Sequence, residues 1–260
     1  MGKNSSEIVI LKIGGSVITE KSKGVFDRLL RDEMERVADE ISFFDGKMIL
    51  VHGAGSFGHP YVEKYRLKKE KNREGIIKTH LACKRLNTAF CEVLADKGVF
   101  PYPIHPFTSF LIDSNLAFDT ELFIRPLNEL FTPVTHGDMV YNVKNKFFEV
   151  LSGDKIVSEL IDRFKDFELR VGLATDTDGV YMDGEVLEEI NDENFSDLKE
   201  YISQRIEEKS DVTGGMMGKI AELFGKSRYA EIRVFNGTRE GEIKNFLRGK
   251  SVGTLLRKRR

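Results

Sequence analysis

Cysteine is almost absent from this 260-residue chain, which has only Cys83 and Cys91. They stand eight positions apart in one helical pattern, too far along a helix to bridge. They read as small core residues of a protein kept in a reducing compartment, the cytoplasm. Long apolar runs are missing too. Nothing approaches the roughly 20 residues of a membrane span, and no secretory signal pattern opens the sequence. An excess of charge of either sign is also lacking, since 40 Lys and Arg face 42 Asp and Glu. A net charge of -2 offers no general attraction to nucleic acid. The basic stretch Arg257-Lys258-Arg259-Arg260 reads as a solvated tail. No G-x-x-x-x-G-K-[ST] loop occurs, which excludes a P-loop site. The five histidines are scattered along the chain and the cysteines have no ligand partners, which argues against a Ser/His/Asp triad and a metal cluster.

What is present describes a folded protein with a sizeable core: 40% hydrophobic and 32% charged residues, with no repeats or long linkers. Apolar runs at Ile8-Val9-Ile10-Leu11 and Met48-Ile49-Leu50-Val51 predict two strands. Apolar spacing predicts helices over 27–44 and 74–97. A short strand is expected over 99–104, and 105–130 is the least regular part. A strand over 131–135 and a hairpin of 139–143 with 146–151 come next. Helix and strand then alternate: helix 155–164, strand 169–174, helices 194–206 and 216–224, strand 231–235, helix 240–247, strand 252–256. Such alternation predicts an α/β fold with a mainly parallel sheet covered on both faces. One domain is expected, with two lobes meeting at the strand ends.

Two glycine-rich turns follow the first two strands: Gly14-Gly15-Ser16 and Gly53-Ala54-Gly55-Ser56-Phe57-Gly58-His59. Bare backbone N–H groups in such turns form concavities for anions. Two turns ending strands of one parallel sheet, with Lys12 and His59 beside them, suggest two phosphates facing each other, the geometry of a kinase. Gly53, Gly55 and Gly58 also spell the dinucleotide fingerprint G-x-G-x-x-G. That reading needs a compact βαβ unit with an acidic residue about 20 positions on, whereas here a charged run over 66–73 follows. Four further elements fall at strand ends or helix starts: His136-Gly137-Asp138, Ser152-Gly153-Asp154, Thr175-Asp176-Thr177-Asp178-Gly179 and Asp211-Val212-Thr213-Gly214-Gly215-Met216-Met217-Gly218-Lys219. In the last, glycines at a helix start suit phosphate, and Lys219 lies one turn in.

Together with Leu11-Lys12-Ile13-Gly14-Gly15-Ser16, these elements resemble the amino-acid kinase superfamily in order and spacing over about residues 8–256. The resemblance implies an αβα sandwich, a homodimer, and transfer of the γ-phosphate of ATP, with Mg²⁺, to a small phosphorylated acceptor. His59, closing the second turn, points within that superfamily to isopentenyl phosphate as acceptor and isopentenyl diphosphate as product. Other acceptors of the same fold (phosphonate, amino acid, carbamate), a dinucleotide-dependent oxidoreductase and a nucleotide sensor without turnover are the alternatives. The resemblance implies catalytic roles for Lys12, Lys21, Lys219, His59 and Asp154. It implies ATP contacts at Lys12, Gly14, Gly15, Ser16, Gly55, Asp176, Asp178, Gly179, Tyr181, Gly215 and Lys219. Ala54, Gly55, His59 and Gly153 would hold the acceptor phosphate, and no protein metal ligand is implied. The acceptor lobe is expected over about 1–165 and the nucleotide lobe over about 166–260. The acceptor tail is expected against helix 74–97 and the aromatic stretch 107–118, with Leu81 and Ala82 as wall residues.

Overall fold

Along the strand Glu7–Ile13, residues Ile8 and Ile10 pack into one apolar cluster, while Val9, Leu11 and Ile13 pack into another. The period of two puts successive side chains on opposite faces, and a strand buried on both faces therefore reads as continuously apolar. Lys47–His52 repeats the arrangement, with Ile49 and Val51 on one face and Met48 and Leu50 on the other. These strands sit centrally in an eight-stranded sheet. Its order from one edge is Glu189–Ile190, Thr254–Leu256, Ala230–Asn236, Glu168–Thr175, Glu7–Ile13, Lys47–His52, Thr132–His136 and Pro101–Pro103. Every pairing is parallel except that of Ala230–Asn236 with Thr254–Leu256. The computed structural model describes residues 7–208 and 213–258, with side chains except at 204–208, 213–217 and 219.

Helices Arg31–Ser42, Arg73–Asp96 and Glu242–Leu247 cover one face through Met34, Val37, Ile41, Phe90, Leu94 and Phe246. Helices Glu121–Asn128, Gly153–Arg163, Phe195–Glu208 and Thr213–Lys226 contribute to the cluster on the other. Asn72 caps the long helix by accepting from the Gly75 N–H, and Ser152 caps Gly153–Arg163 by accepting from the Lys155 N–H. The sandwich agrees with the fold read from the sequence.

Local differences have local causes. Helix 27–44 begins only at Arg31, because Asp27 adopts φ +51 and Thr19 bridges Leu29. The stretch over 105–130 is more ordered than its composition suggests. It holds helices Pro106–Ser109 and Glu121–Asn128 and a strand pair, Leu111–Ile112 with Leu116–Ala117. Its prolines and aromatics pack: Phe110, Phe118 and Phe123 join the core. The small hairpin Tyr181–Met182 with Glu185–Val186 was not legible, being too short for a periodic signal.

Candidate active site at the strand ends

Glycine follows four of five consecutive strands of the sheet, and each of these glycines extends the parallel ladder by one bond. Gly14 N–H donates to Ala174 O (2.8 Å), Gly53 N–H to Ile13 O (2.9 Å), Gly137 N–H to His52 O (3.1 Å) and Gly237 N–H to Thr175 O (2.7 Å). At this end of the sheet, where open α/β sheets hold ligands, lies a cleft of about 1160 Å³.

The first two turns meet across it. A Cβ on Gly15 would stand 2.5 Å from Gly55 N, and one on Gly53 would stand 2.6 Å from Gly15 N. Only glycine permits this approach, and Gly55 at φ +48 also needs its freedom. Thr19 ties the turns together, its hydroxyl donating to Gly15 O (2.7 Å) and accepting from Ser56 N–H (3.1 Å). The first turn winds directly into a one-turn helix, Gly15–Ile18, and the second into Gly55–Phe57 and then His59–Lys64. This is not a dinucleotide-binding βαβ unit, because the strand pairing with Lys47–His52 on its far side is Thr132–His136, much later in the chain.

Lys12, 9% exposed at the end of its strand, lies 2.5 Å from Asp154 in the first turn of helix Gly153–Arg163. A Cβ on Gly153 would sit 3.5 Å from Lys12 Cε, so the helix start and the lysine share one wall. Lys21 reaches Asp176 at 2.6 Å, and the Asp176 carboxyl titrates below its ordinary range. Its partial burial works against that shift, and the Lys21 hydrogen bond and charge outweigh it. His59 hydrogen-bonds Gly55 O through Nδ1 (3.2 Å); as a carbonyl only accepts, Nδ1 carries the proton and Nε2 is the ring's other nitrogen.

Lys12, Gly14, Gly15, Ser16, Lys21, Ala54, Gly55, His59, Gly153, Asp154, Asp176 and Gly179 all line the cleft. Asp178 and Tyr181 do not. Asp178 is held by Asn236 (2.7 Å), Arg239 (2.8 Å) and the Tyr181 hydroxyl (3.2 Å), and Asn236 first among these keeps its pKa low. The Gly215 and Lys219 side-chain positions lie outside the described residues. The helix carrying them starts at Thr213, so Gly214 and Gly215 belong to its first turn rather than to a preceding loop.

The cleft continues into an apolar recess. Helix Arg73–Asp96 presents Thr79 and Cys83 there, opposite Met139 and Val150, with Val62 nearby. The expected wall residues are not on that face: Leu81 is 45% exposed and Ala82 packs in the core beneath the sheet. Phe107 packs at the edge of a small cluster built from Val62, Leu67, Ile76 and Met139. Burial pushes the Cys83 thiol well up, and raises that of the half-buried Cys91 to about 12, so neither serves as a nucleophile.

Two features were missed. Lys68, read as part of a charged run over 66–73, and Lys64, which was not singled out, both line the cleft, Lys64 at the end of helix His59–Lys64 that follows the second turn. The histidines, scattered in sequence, are gathered in space: His52 stacks on His136, and His136 contacts His105 at 3.1 Å. His80 bonds the buried Asp138 at 2.8 Å. Burial raises the Asp138 pKa against the opposing pull of His80. Among the described residues these groups form no metal-binding cluster. The repeated dipeptide His52-Gly53 and His136-Gly137 at two strand ends was the available signal.

The sequence profile of the Amino acid kinase family matches residues 7–235. An isopentenyl phosphate kinase of Methanocaldococcus jannaschii is 33% identical over 266 residues, covering 96% of this chain and 98% of the relative. One of Methanothermobacter thermautotrophicus is 34% identical over 272 residues, with the same coverage. A solved structure described as isopentenyl phosphate kinase superposes with a TM-score of 0.77 at 31% identity, covering 95% of this chain and 98% of that one. N-acetylglutamate synthase from Neisseria gonorrhoeae shares the fold at a TM-score of 0.69 and 13% identity. With two glycine turns in contact over a lysine–aspartate pair and a matching profile over most of its length, the chain belongs to the amino acid kinase family.

Proposed function

We propose that this protein is an ATP-dependent isopentenyl phosphate kinase, making isopentenyl diphosphate for isoprenoid synthesis. The observation that carries the reading is the contact between the Gly14-Gly15 and Gly53–Gly55 turns, because it sets two anion cradles side by side with Lys12 between them and the apolar recess. Relatives of this name along the full chain support it.

The chemistry asks little of the protein beyond placement. A phosphate acceptor is already anionic, so no general base is required. The work is to bring two repelling anions into line and offset charge on the transferred group. In this reading Lys12, steered by Asp154, meets the transferred phosphoryl group, and Lys21 and Lys219 add charge. Gly14, Gly15, Ser16 and Gly55 cradle ATP, with Asp176 and Gly179 beside it and Gly215 at a helix start. Asp178 and Tyr181 act only indirectly, through Arg239 and Asn236. Ala54, Gly55 and Gly153 offer N–H groups to the acceptor phosphate, and His59 as imidazolium adds a charged donor. Two carboxylates beside the proposed phosphate sites, Asp154 and Asp176, are paired with lysines, so Mg²⁺ would enter on the ATP phosphates and keep several waters. It would supply charge neutralisation between the phosphates. The prenyl tail would occupy the recess of Thr79, Cys83, Met139 and Val150, where apolar contact sets its length. A homodimer and a cytoplasmic location belong to the same reading, as does the division into an acceptor lobe to about 165 and a nucleotide lobe beyond.

A coupled ADP-release assay across acceptors tests it. Isopentenyl phosphate should be turned over faster than glutamate, acetylglutamate, carbamate or simple phosphonates. Faster turnover of any of these would reject the proposed acceptor.

A further inference from the structure

His52 and His136 are register partners at the ends of adjacent parallel strands, each followed by glycine. Both side chains are fully buried, and the rings stack with centroids 5.3 Å apart at 18°. Each makes the same local bond: His52 Nδ1 to Gly53 O and His136 Nδ1 to Gly137 O, both 3.1 Å. We infer that this imidazole pair positions the acceptor-phosphate cradle, each Nδ1–H pinning the carbonyl of the glycine after it. The inference rests on the cradle proposed above.

The geometry works through the peptide plane. No cis peptide occurs among the described residues, so the Ala54 N–H points opposite the Gly53 carbonyl that His52 holds. Gly137 is fixed twice, by His136 at its carbonyl and by its own N–H on His52 O. Its Cα forms the floor of the cradle: a Cβ there would lie 3.4 Å from Gly153 N and 3.8 Å from Ala54 N. The pair therefore stands behind two of the proposed phosphate donors and touches neither substrate.

The proton inventory agrees. A carbonyl only accepts, so Nδ1 carries the hydrogen in both rings and Nε2 is the acceptor of a neutral ring. His136 Nε2 then accepts from His105 Nδ1 at 3.1 Å. His52 Nε2 lies 3.0 Å from Asn87 Oδ1, and among the described residues Asn87 Nδ2 has no partner. Turning that amide gives Nε2 a donor and Nδ2 a partner, as a neutral His52 requires. Burial lowers the pKa of both rings, first among their causes, and keeps them neutral.

The amide nitrogen of Asn overlays imidazole Nδ1, whereas that of Gln overlays Nε2. His136→Asn should keep the acceptor KM within about threefold of wild type, although it leaves a cavity and lowers Tm. His136→Gln and His136→Leu fill more volume yet should raise the acceptor KM about tenfold or more, with the ATP KM unchanged. The matching His52 series should behave alike. A role in packing alone gives the opposite order, and an Asn variant as impaired as Leu, or a parallel rise in ATP KM, overturns the inference. Nitrogen NMR of the wild-type imidazoles needs no variant to fold: Nδ1–H tautomers at both rings support the inference, and Nε2–H or imidazolium at neutral pH overturns it. If wild type fails to phosphorylate isopentenyl phosphate, the proposed acceptor falls by itself. The same variants are then ranked by calorimetry with inorganic phosphate, where the same order supports the inference and any other order, or no binding to wild type, overturns it.

Discussion

Lys12 carries its charge at the end of a buried strand, where Asp154 offsets the cost of burial and aims the ammonium. A cation acting on charge that develops during transfer influences the chemical step more than substrate binding. Lys12→Ala should therefore lower kcat far more than it raises KM, by about 2–4 kcal/mol of transition-state stabilisation. Steady-state kinetics check this, and wild-type turnover would remove Lys12 from the mechanism. His59 stands differently, on an exposed helix start with Nδ1–H committed to Gly55 O. Nε2 therefore donates to an anion only when the ring is cationic. His59→Gln restores a neutral donor at that nitrogen and should weaken acceptor binding modestly. His59→Ala removes it and should cost about 1.5–3 kcal/mol of acceptor affinity, with ATP affinity unchanged. Calorimetric titration of each ligand separates the two.

The edge strand Pro101–Pro103 shows how an element is kept from pairing further. Phe100 O accepts from Thr132 N–H and Ile104 N–H donates to Val134 O, so residues 100 and 104 face inward. Alternation turns positions 101 and 103 outward, and both are proline. The free edge thus offers carbonyls and no donors, beside the exposed Phe100, Leu130 and Phe131. The double variant Pro101→Thr, Pro103→Thr should self-associate beyond the wild-type state at high concentration. Light scattering reads this, and unchanged mass across a concentration series would show that the prolines have no such role.

At the scale of the whole molecule, the buried imidazoles set the acid limit of stability. Burial lowers the pKa of His52, of His136 and, less completely enclosed, of His105. The folded state then binds fewer protons than the unfolded chain below the ordinary histidine value of 6.5. Stability is complete above that value and falls with pH below it. The slope is about 1.4 kcal/mol per pH unit for each of the two fully buried rings, His52 and His136, while it stays neutral, and less for the partly exposed His105. The raised pKa of Asp138 acts with the opposite sign, in the window just above 3.8. Denaturant midpoints should decline as the pH falls from about 6.5 to 5, and less so in a His136→Leu variant. A flat profile over that range would contradict neutral burial.

Much of this was legible along the chain, because strand period, helix period and glycine turns are local consequences of backbone sterics. The two turns, the helix start at Ser152-Gly153-Asp154 and the parallel sheet all followed from patterns within a few residues. The pairings that make a site are another matter. Lys12 and Asp154 are 142 positions apart, and Lys21 and Asp176 are 155 apart. The sequence shows the charges, whereas which carboxylate meets which lysine needed the fold. Lys68 in the charged run, and Lys64 just before it, are brought to the cleft only by the fold. Four dispersed histidines came together only because Lys47–His52 and Thr132–His136 are neighbours in the sheet and Arg73–Asp96 packs across them. The sequence by itself determined the strands, their turns and the chemical character of the cleft. The order in which strands enter the sheet decided which side chains face one another, since that order depends on burying both faces of the sheet at once and not on any local preference.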